Sequence, residues 1–317
     1  MKQIISLLLT TLLCVSCYKE IDLNEYRTTP KMVINCAVMP DTVVIASVSR
    51  TWFYTENMPD VKLPHAKVEL YINGSFTEEM QWKAIPGTED SEHPDSVFFS
   101  TVIPREGDKI KIIASTPQYG TVVAEDEVPV KMPIEEVQYA IRKGEGLYDY
   151  TYPDYYEIYY KVTFQELPET GNHYLIAVSR PDYWTNEMIV DLDYIDPVLK
   201  EQDAILDGSL SFDGLEQRAG ALFTDKSING QRYTMQLKES IRSFDEGDTR
   251  KVAIYSLSEP YYWYLLSLQK KMGSTLEGGL GNMGFAEPLR IYSNVQGGTG
   301  ILGAFNPSKF DLTLHLK

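Results

Sequence analysis

The stretch that decides the fold class is Tyr156-Glu157-Ile158-Tyr159-Tyr160-Lys161-Val162-Thr163-Phe164. Large apolar or aromatic residues occupy every second position, from Tyr156 to Phe164, and the positions between them hold Glu157, Tyr159, Lys161 and Thr163. Successive side chains of a β-strand point to opposite faces, so this period of two predicts a strand with one buried face. Such strands are typical of antiparallel sheets that cover a single core.

Similar short runs occur on both sides of this strand and are separated by turn residues. Over residues 32 to about 130 we identify about seven of them, which predict an all-β sandwich. Asn73-Gly74 predicts a type I′ hairpin between two of these runs. Further strands are predicted at residues 173–179, 231–238, 251–256, 289–295 and 310–316. We therefore expect a mostly β chain.

The length of the chain favours two domains, because domains usually hold about 100 to 200 residues. We expect a β-sandwich domain over residues 31–130 and a β-rich C-terminal domain over residues 134–317. The segment 129–133 begins and ends with proline and predicts a stiff linker between them.

A single helix is predicted over residues 259–272. Ser258 can cap its first turn, and Gly273 can end it. An apolar stripe then predicts packing of this helix on a sheet. The stripe consists of Tyr261, Leu265, Leu268 and Met272.

Residues 182–218 form a long, acidic segment with poor periodicity. The pattern leaves two interpretations open, an elaborated loop with a short helix or a functional insertion. Asp203, Asp207 and Asp213 are spaced too loosely for an EF-hand loop, although they are compatible with a calcium site in β-loops.

The first thirty residues have the organisation of an exported lipoprotein. Lys2 precedes an apolar stretch that is too short to cross a membrane, which takes about 20 apolar residues. Ser16-Cys17 resembles the cleavage site of a lipobox, with Cys14 in place of the usual leucine. We expect a signal peptide at residues 1–16, lipid on Cys17 and a polar tether at 17–30. The alternative is a soluble periplasmic protein that is cut elsewhere.

The tether bears on localisation. Its charged residues Lys19, Glu20 and Asp22 resemble a surface-export signal of Bacteroidota lipoproteins, although a solvated spacer would look the same. We expect a lipid-anchored protein of the outer membrane, on its periplasmic or cell-surface face, and acyl chains would hold it firmly.

Charge and cysteines narrow the class of protein further. The net charge of −16 argues against a nucleic-acid partner, which would require a clustered basic face. Cys36 is the sole free thiol expected after processing, so no intrachain disulfide can form. It shares a strand face with Ile34 and Val38, which predicts a buried core thiol.

No catalytic or metal motif is evident in the sequence. Gly298, Gly300 and Gly303 fit the G-x-G-x-x-G pattern, but too little chain follows for a dinucleotide-binding unit. We interpret these glycines as turn and close-packing positions. The four histidines are scattered, so we predict no catalytic residues, no metal site and no cofactor. Paired carboxylates of a glycan-active enzyme would remain hidden at this level.

A run of tyrosines over residues 148–156 is the strongest candidate for a contact surface. Tyrosine buries a large ring and keeps a polar tip, which suits protein and sugar interfaces. The alternative is that these rings pack the two domains against each other. The candidate residues are Tyr148, Tyr150, Tyr152 and Tyr155.

Three stretches carry a resemblance to a known family: residues 287–305, Leu222-Phe223-Thr224-Asp225-Lys226-Ser227-Ile228-Asn229-Gly230 and Met32-Val33-Ile34-Asn35-Cys36. Together they resemble a Bacteroidota lipoprotein family catalogued as domain of unknown function 4249. The resemblance implies an outer-membrane lipoprotein, often encoded beside a TonB-dependent transporter. It also implies an immunoglobulin- or transthyretin-like N-terminal domain and a second β-rich domain, and it carries no catalytic residues.

These expectations favour a non-enzymatic accessory or ligand-capturing partner of a TonB-dependent transporter. A structural or adhesive envelope protein is the alternative, and a glycan-active hydrolase is a third hypothesis.

Overall fold

A computed structural model describes residues 23–53, 55–57, 59–85, 96–143, 155–182, 186–199, 209–212, 215–218, 220–273 and 290–316. Several predicted features lie outside these residues, namely the signal peptide, Cys17, the aspartates 203, 207 and 213, and Tyr148, Tyr150 and Tyr152. In the first half of the chain the strands are β1 (Met32–Val38), β2 (Ile45–Arg50), β3 (Lys67–Ile72), β4 (Ser75–Glu79), β5 (Gln81–Ala84), β6 (Ser96–Phe99), β7 (Lys109–Thr116) and β8 (Gly120–Glu127).

The remaining strands are β9 (Ile134–Lys143), β10 (Tyr156–Gln165), β11 (His173–Asp182), β12 (Asn186–Ile189), β13 (Leu192–Tyr194), β14 (Ser209–Phe212), β15 (Leu215–Arg218), β16 (Ala221–Thr224), β17 (Arg232–Ile241), β18 (Thr249–Leu257) and β19 (Thr299–Thr313). The α-helix α1 spans Glu259–Gly273, and short 3-10 turns occupy Leu23–Tyr26 and Asp225–Ser227. The chain is mostly β, as its sequence predicts. Strands β12 to β15 fall within the acidic segment 182–218.

The first sandwich places the sheet β4-β3-β7-β8 against strands β1, β2, β6 and β5. Alternate residues of these strands, such as Ile34, Val68 and Ile112, fill a core from which water is excluded. Cys36 is 4% exposed within this core, so the predicted buried thiol is confirmed. Asn73 and Gly74 both have positive φ, which confirms the type I′ hairpin.

The run that follows the Asn73-Gly74 turn is divided between the two sheets. Strand β4 pairs with β3, whereas β5 pairs with β6 in the opposite sheet. Between them Met80 is 4% exposed and its N–H donates to the carbonyl of Val68. The chain therefore crosses from one sheet to the other at this residue, and the Met80 side chain fills the corner of the core.

The second sandwich packs the sheet β13-β17-β10-β9 against strands β12, β11, β18 and the end of β19. Residues 156–164 belong to β10, and Ile158, Tyr160, Val162 and Phe164 are at most 1% exposed. Their burial confirms the predicted alternation. Strand β9 was not predicted, because it is an edge strand and most of its residues are at least partly exposed.

Strand β19 is shared by the two sandwiches. Its first half pairs in parallel with β1, from Val33↔Thr299 to Val38↔Ala304. Its second half pairs with β18, from Leu257↔Phe305 to Thr249↔Thr313. Consequently one nine-stranded sheet runs through both sandwiches.

Residues near the C-terminus therefore contribute to both cores. Val295, Leu302 and Ala304 lie in the first core, and Leu312 and Leu314 lie in the second. The predicted regions 31–130 and 134–317 thus hold most of one core each, and they are joined by a common strand.

The segment 129–133 is anchored to the second sandwich along its length. The carbonyl of Pro129 accepts a hydrogen bond of 2.9 Å from the Asn306 side chain. Met132 is fully buried, and its N–H donates to Ser256 Oγ at 3.1 Å. The linker therefore adds a second fixed connection between the sandwiches.

Helix α1 lies on the outer face of the shared sheet. Ser258 Oγ accepts the N–H of Tyr261 at 3.3 Å, which confirms the predicted cap. Tyr261 and Leu265 of the predicted stripe pack with Leu175, Leu222 and Ile301 of the sheet. None of the helices among the described residues is long and apolar enough to cross a membrane.

Candidate functional site

A cavity of about 510 Å³ opens at one corner of the second sandwich. The chain crosses there from β12 on one sheet to β13 on the other through Val190 and Asp191. Strand β13 pairs with β17 only as far as Glu239, so the last residues of β17 border the gap. We call this space the corner cavity. Its lining consists of Arg180, Met188, Ile189, Val190, Asp191, Glu239, Ser240, Ile241, Arg242 and Ser243.

A buried ion pair forms the inner boundary of the corner cavity. Arg250 donates from Nη2 to Glu239 Oε1 at 2.9 Å and from Nε to Oε2 at 3.0 Å. Tyr160 donates its hydroxyl to the same carboxylate at 2.5 Å. All three side chains are at most 3% exposed. Fork-to-fork pairing of this kind satisfies both charges without water.

The surroundings of Arg250 favour its charged form. Burial alone would lower the pKa of Arg250, but the hydrogen bonds and charge of Glu239 raise it. Burial, together with the Glu239 carboxylate, raises the pKa of the Tyr160 hydroxyl. The phenol therefore stays protonated and continues to donate to Glu239.

Arg180 lies at the mouth of the corner cavity. It follows Ile176 and Val178 at every second position of β11, so it belongs to the face that covers the core. Its partner across the β11–β12 pair is Met188, another residue of the lining. Unlike Val178, Arg180 is exposed, because it reaches beyond the packed layer.

The rest of the lining is divided between apolar and polar groups. Met188, Ile189, Val190 and Ile241 provide an apolar wall, and Val190 is 7% exposed. Arg242, Ser243 and Asp191 provide a polar rim. Small-molecule sites commonly combine an apolar concave wall with a few polar groups that orient the ligand.

Of the predicted contact tyrosines, Tyr155 is the one among the described residues. Its hydroxyl donates to Glu157 Oε1 at 3.0 Å and lies 3.3 Å from Ser240 Oγ, beside the corner cavity. The next residue, Tyr156, pairs with Lys143 at one end of the β9–β10 pair, and Ile134 lies at the other end. Since Ile134 follows the linker, Tyr155 lies about a strand length, roughly 30 Å, from the junction. It does not pack the two sandwiches together.

Tyr155 belongs to a polar cluster on the outer face of sheet β13-β17-β10-β9. Glu157 also accepts the hydroxyl of Tyr159 at 2.7 Å and the ammonium of Lys238 at 3.2 Å. The hydrogen bond from Tyr159 is the main cause that lowers the pKa of Glu157. Arg142 lies 4.9 Å from the centroid of the Tyr159 ring. The members of this cluster satisfy one another.

The central stretch at residues 222–230 has a structural role. Asp225 accepts the N–H groups of Gly171 at 2.7 Å and Asn172 at 3.1 Å. Gly230 has a φ of 66° and donates its N–H to Glu166 Oε2 at 2.5 Å. The stretch thereby holds the turn between β10 and β11.

The C-terminal stretch at residues 287–305 is also structural where it is described. The Asn294 side chain donates to the carbonyl of Leu302 at 2.8 Å and accepts its N–H at 3.0 Å, as a strand partner would. A Cβ on Gly300 would lie 2.1 Å from the carbonyl oxygen of Ile34, and one on Gly303 would lie 2.2 Å from the Tyr261 ring. These contacts confirm that the glycines occupy close-packing positions.

The family model described as "Domain of unknown function (DUF4249)" matches residues 18–311. The chain belongs to this family. The match spans both sandwiches and includes nearly all of the shared strand β19. No curated protein gives a significant match to the chain. Because the description of DUF4249 names no activity, the function has to be argued from the sites themselves.

One further carboxylate of this DUF4249 chain has an altered acidity. Asp126 on β8 accepts the hydroxyl of Ser258, the residue that caps α1, at 2.5 Å. Burial raises the pKa of Asp126 to about 7, against the opposing effect of the Ser258 hydrogen bond. Ser258 also accepts the N–H of Ala304 on β19 at 3.2 Å. Asp126 therefore lies where β8, α1 and β19 meet.

The described histidines do not form a metal site. The ring of His173 lies tilted by 44° against that of Tyr262, with 4.4 Å between the centroids, and burial lowers the pKa of His173. His315 contacts Glu246 at 2.7 Å on the surface. Within the described ranges, no group of three or more His, Cys, Asp or Glu side chains could hold a metal ion.

The residues that line the corner cavity are not among those predicted from the sequence. A signal was present, since Glu239 continues the core-facing positions Met235 and Leu237, and Arg250 precedes Val252 on its core face. The predicted strands at 231–238 and 251–256 stopped one residue short of these charges. Opposite charges at core-facing positions of two strands of one sandwich can indicate a buried pair.

Proposed function

We propose that this protein is a lipid-anchored envelope protein that captures a small ligand in the corner cavity and works beside a TonB-dependent transporter of the outer membrane. The observation that carries the proposal is the corner cavity, with its apolar wall and charged rim. Its inner boundary is fixed by the buried pair Glu239–Arg250, so the site is preorganised.

Contacts at the N-terminal end of the body support attachment close to a membrane. Arg27 donates to Glu56 at 2.7 Å, and the N–H of Lys31 donates to Thr51 Oγ1 at 2.9 Å. The proposed tether is therefore held to the body from Arg27 onward. Nine residues lie between Cys17 and Arg27, and the chain from one to the other spans at most about 35 Å. A lipid on Cys17 would keep the body within reach of a membrane partner.

The test is purification of the tagged full-length protein from detergent-solubilised outer membranes. We expect a β-barrel transporter to co-purify, and mass spectrometry to find acyl chains on Cys17. Cys17→Ser removes the acylated residue and should abolish recovery of the protein in the outer-membrane fraction, whereas the matched change Cys36→Ser should leave it anchored there. Recovery of the lipidated protein without any β-barrel partner contradicts the role beside a transporter.

One observation favours an adhesive role as the alternative. The polar cluster around Tyr155, Glu157 and Tyr159 presents aromatic rings and charges on an outer sheet face, as contact surfaces often do. An adhesive protein predicts that deletion of the gene impairs attachment and leaves ligand uptake unchanged. Impaired uptake with normal attachment supports the leading proposal.

A further inference from the structure

We propose that the corner cavity selects ligands in which a carboxylate is joined to an apolar body, and that Arg180 binds the carboxylate. This inference rests on the proposed function, because it names the class of molecule that the cavity would capture.

The position of Arg180 favours contact with a ligand in the corner cavity. It lies on the core-facing side of β11, so its side chain borders the space between the sheets rather than the outer surface. Ser179 pairs with Lys251, and Arg180 and Arg250 occupy the next positions of the same two strands. The two arginines thus follow Val178 and Val252 on one face.

The positive charge of Arg180 also favours an anionic ligand. Glu239 neutralises Arg250 through paired hydrogen bonds. Among the described residues, no carboxylate lies within salt-bridge distance of Arg180, and its guanidinium makes no hydrogen bond there. Arg180 therefore presents to the corner cavity a positive charge that no described residue pairs with, and an anionic ligand would neutralise it.

The surroundings of Arg180 keep this charge uncompensated. Arg242 adds a second positive charge to the lining, and Asp191 supplies one negative charge. Apart from Glu239, whose charge is matched by Arg250, the lining carries two positive charges and one negative charge, in a chain whose net charge is −16. Guanidinium presents two parallel donors that match the two oxygens of a carboxylate.

The apolar wall of the corner cavity favours a ligand with an apolar body. A volume of about 510 Å³ is far larger than a bare carboxylate needs. Met188 and Ile241 line the remaining space, and methionine adapts readily to ligands of different shape. The cavity accordingly suits an apolar body that carries one anionic group.

The test compares two probes of nearly equal shape, hexanoate and hexanamide, by ligand-observed NMR titration at constant ionic strength. The wild-type protein should bind hexanoate about tenfold more tightly than hexanamide, since a charge-assisted pair is the main difference between them. Arg180→Gln should remove this preference and leave hexanamide binding unchanged. Arg180→Lys should retain part of it.

Arg105→Gln is the matched control, because Arg105 is exposed on the first sandwich and its loss changes the net charge equally. This variant should keep the preference for hexanoate. The inference is overturned if the wild type fails to bind hexanoate, if it binds both probes equally, or if Arg180→Gln retains the preference. Those results leave co-purification with a transporter untouched, so they are distinguishable from failure of the proposed function.

Discussion

At the residue scale, Asp126 links stability to pH. Burial raises its pKa in the folded protein to about 7, whereas the pKa of an aspartate in an unfolded chain is about 3.9. Between these values the folded state binds more protons than the unfolded state. The contribution of Asp126 to the free energy of unfolding therefore decreases as pH rises from about 4 to about 7, by at most about 1.4 kcal/mol per pH unit.

Asp126→Asn should abolish this dependence, because an amide does not titrate. We expect the variant to be more stable than the wild type at pH 8 and about equally stable near pH 4. Urea unfolding between these pH values measures the difference. Asp311→Asn, which removes an exposed carboxylate from β19, should keep the wild-type slope. An unchanged slope in Asp126→Asn would show that another group carries the effect.

Gly300 provides a second prediction at this scale. It has a φ of 108°, and an added methyl group would lie 2.1 Å from the backbone oxygen of Ile34. Since that neighbour belongs to a paired strand, it cannot yield, and Gly300→Ala should cost more than about 3 kcal/mol. Gly107→Ala is the control, because Gly107 has a φ of 80° with no atom within 4 Å of its added Cβ. It should cost only about 1 to 2 kcal/mol in backbone strain. Denaturant unfolding of both variants compares the two costs.

At the scale of elements, the sequence predicts those strands whose two faces differ. Strand β10 buries Ile158, Tyr160, Val162 and Phe164 on one face, and α1 has a cap, a stripe and a terminal glycine. The predicted strand at 289–295 is wrong over its described residues, which contain no strand before the bridge at Gln296. There the Asn294 side chain imitates a strand partner, which an apolar pattern cannot reveal. Glu239 and Arg250 were missed because charges normally mark strand ends.

Strand β19 can be tested through its pairing with β1. A fragment of residues 23–130 lacks Val295, Leu302 and Ala304 of its own core and leaves one edge of β1 unpaired. We expect this fragment to be largely unfolded on its own and to fold when a peptide of residues 290–313 is added. Circular dichroism and NMR dispersion report the change. The same peptide with Leu302→Asp should have no effect, and a fragment that folds unaided would refute the idea.

At the scale of the whole molecule, the shared strand and the anchored linker predict cooperative unfolding. Trp82 packs on Phe98 in the first sandwich, with 5.0 Å between ring centroids, and Trp263 lies on α1 against the second. Fluorescence of variants that retain one of these tryptophans should report the same midpoint. Calorimetry should show one transition. Two separated midpoints would mean that the sandwiches unfold independently.

The presence of two β-rich units could be inferred from length and strand patterns. Their fusion could not, because an apolar strand encodes which face is buried and not which strand lies beside it. The corner cavity could not be predicted either, because the sequence pattern does not show which strands lie beside each other. It results from the crossing at Val190 and Asp191, in a segment whose pattern left two interpretations open.

Strand β19 also sets the order of events when the protein is made. About 260 residues separate Val38 from Thr299, its partner region in the parallel pair. At roughly 5 to 20 residues per second, the ribosome reaches β19 roughly 13 to 52 seconds after β1. The first sandwich remains incomplete during that interval, since β1 still lacks its neighbour β19. The sandwich that is synthesised first therefore has a core that only residues synthesised near the end complete.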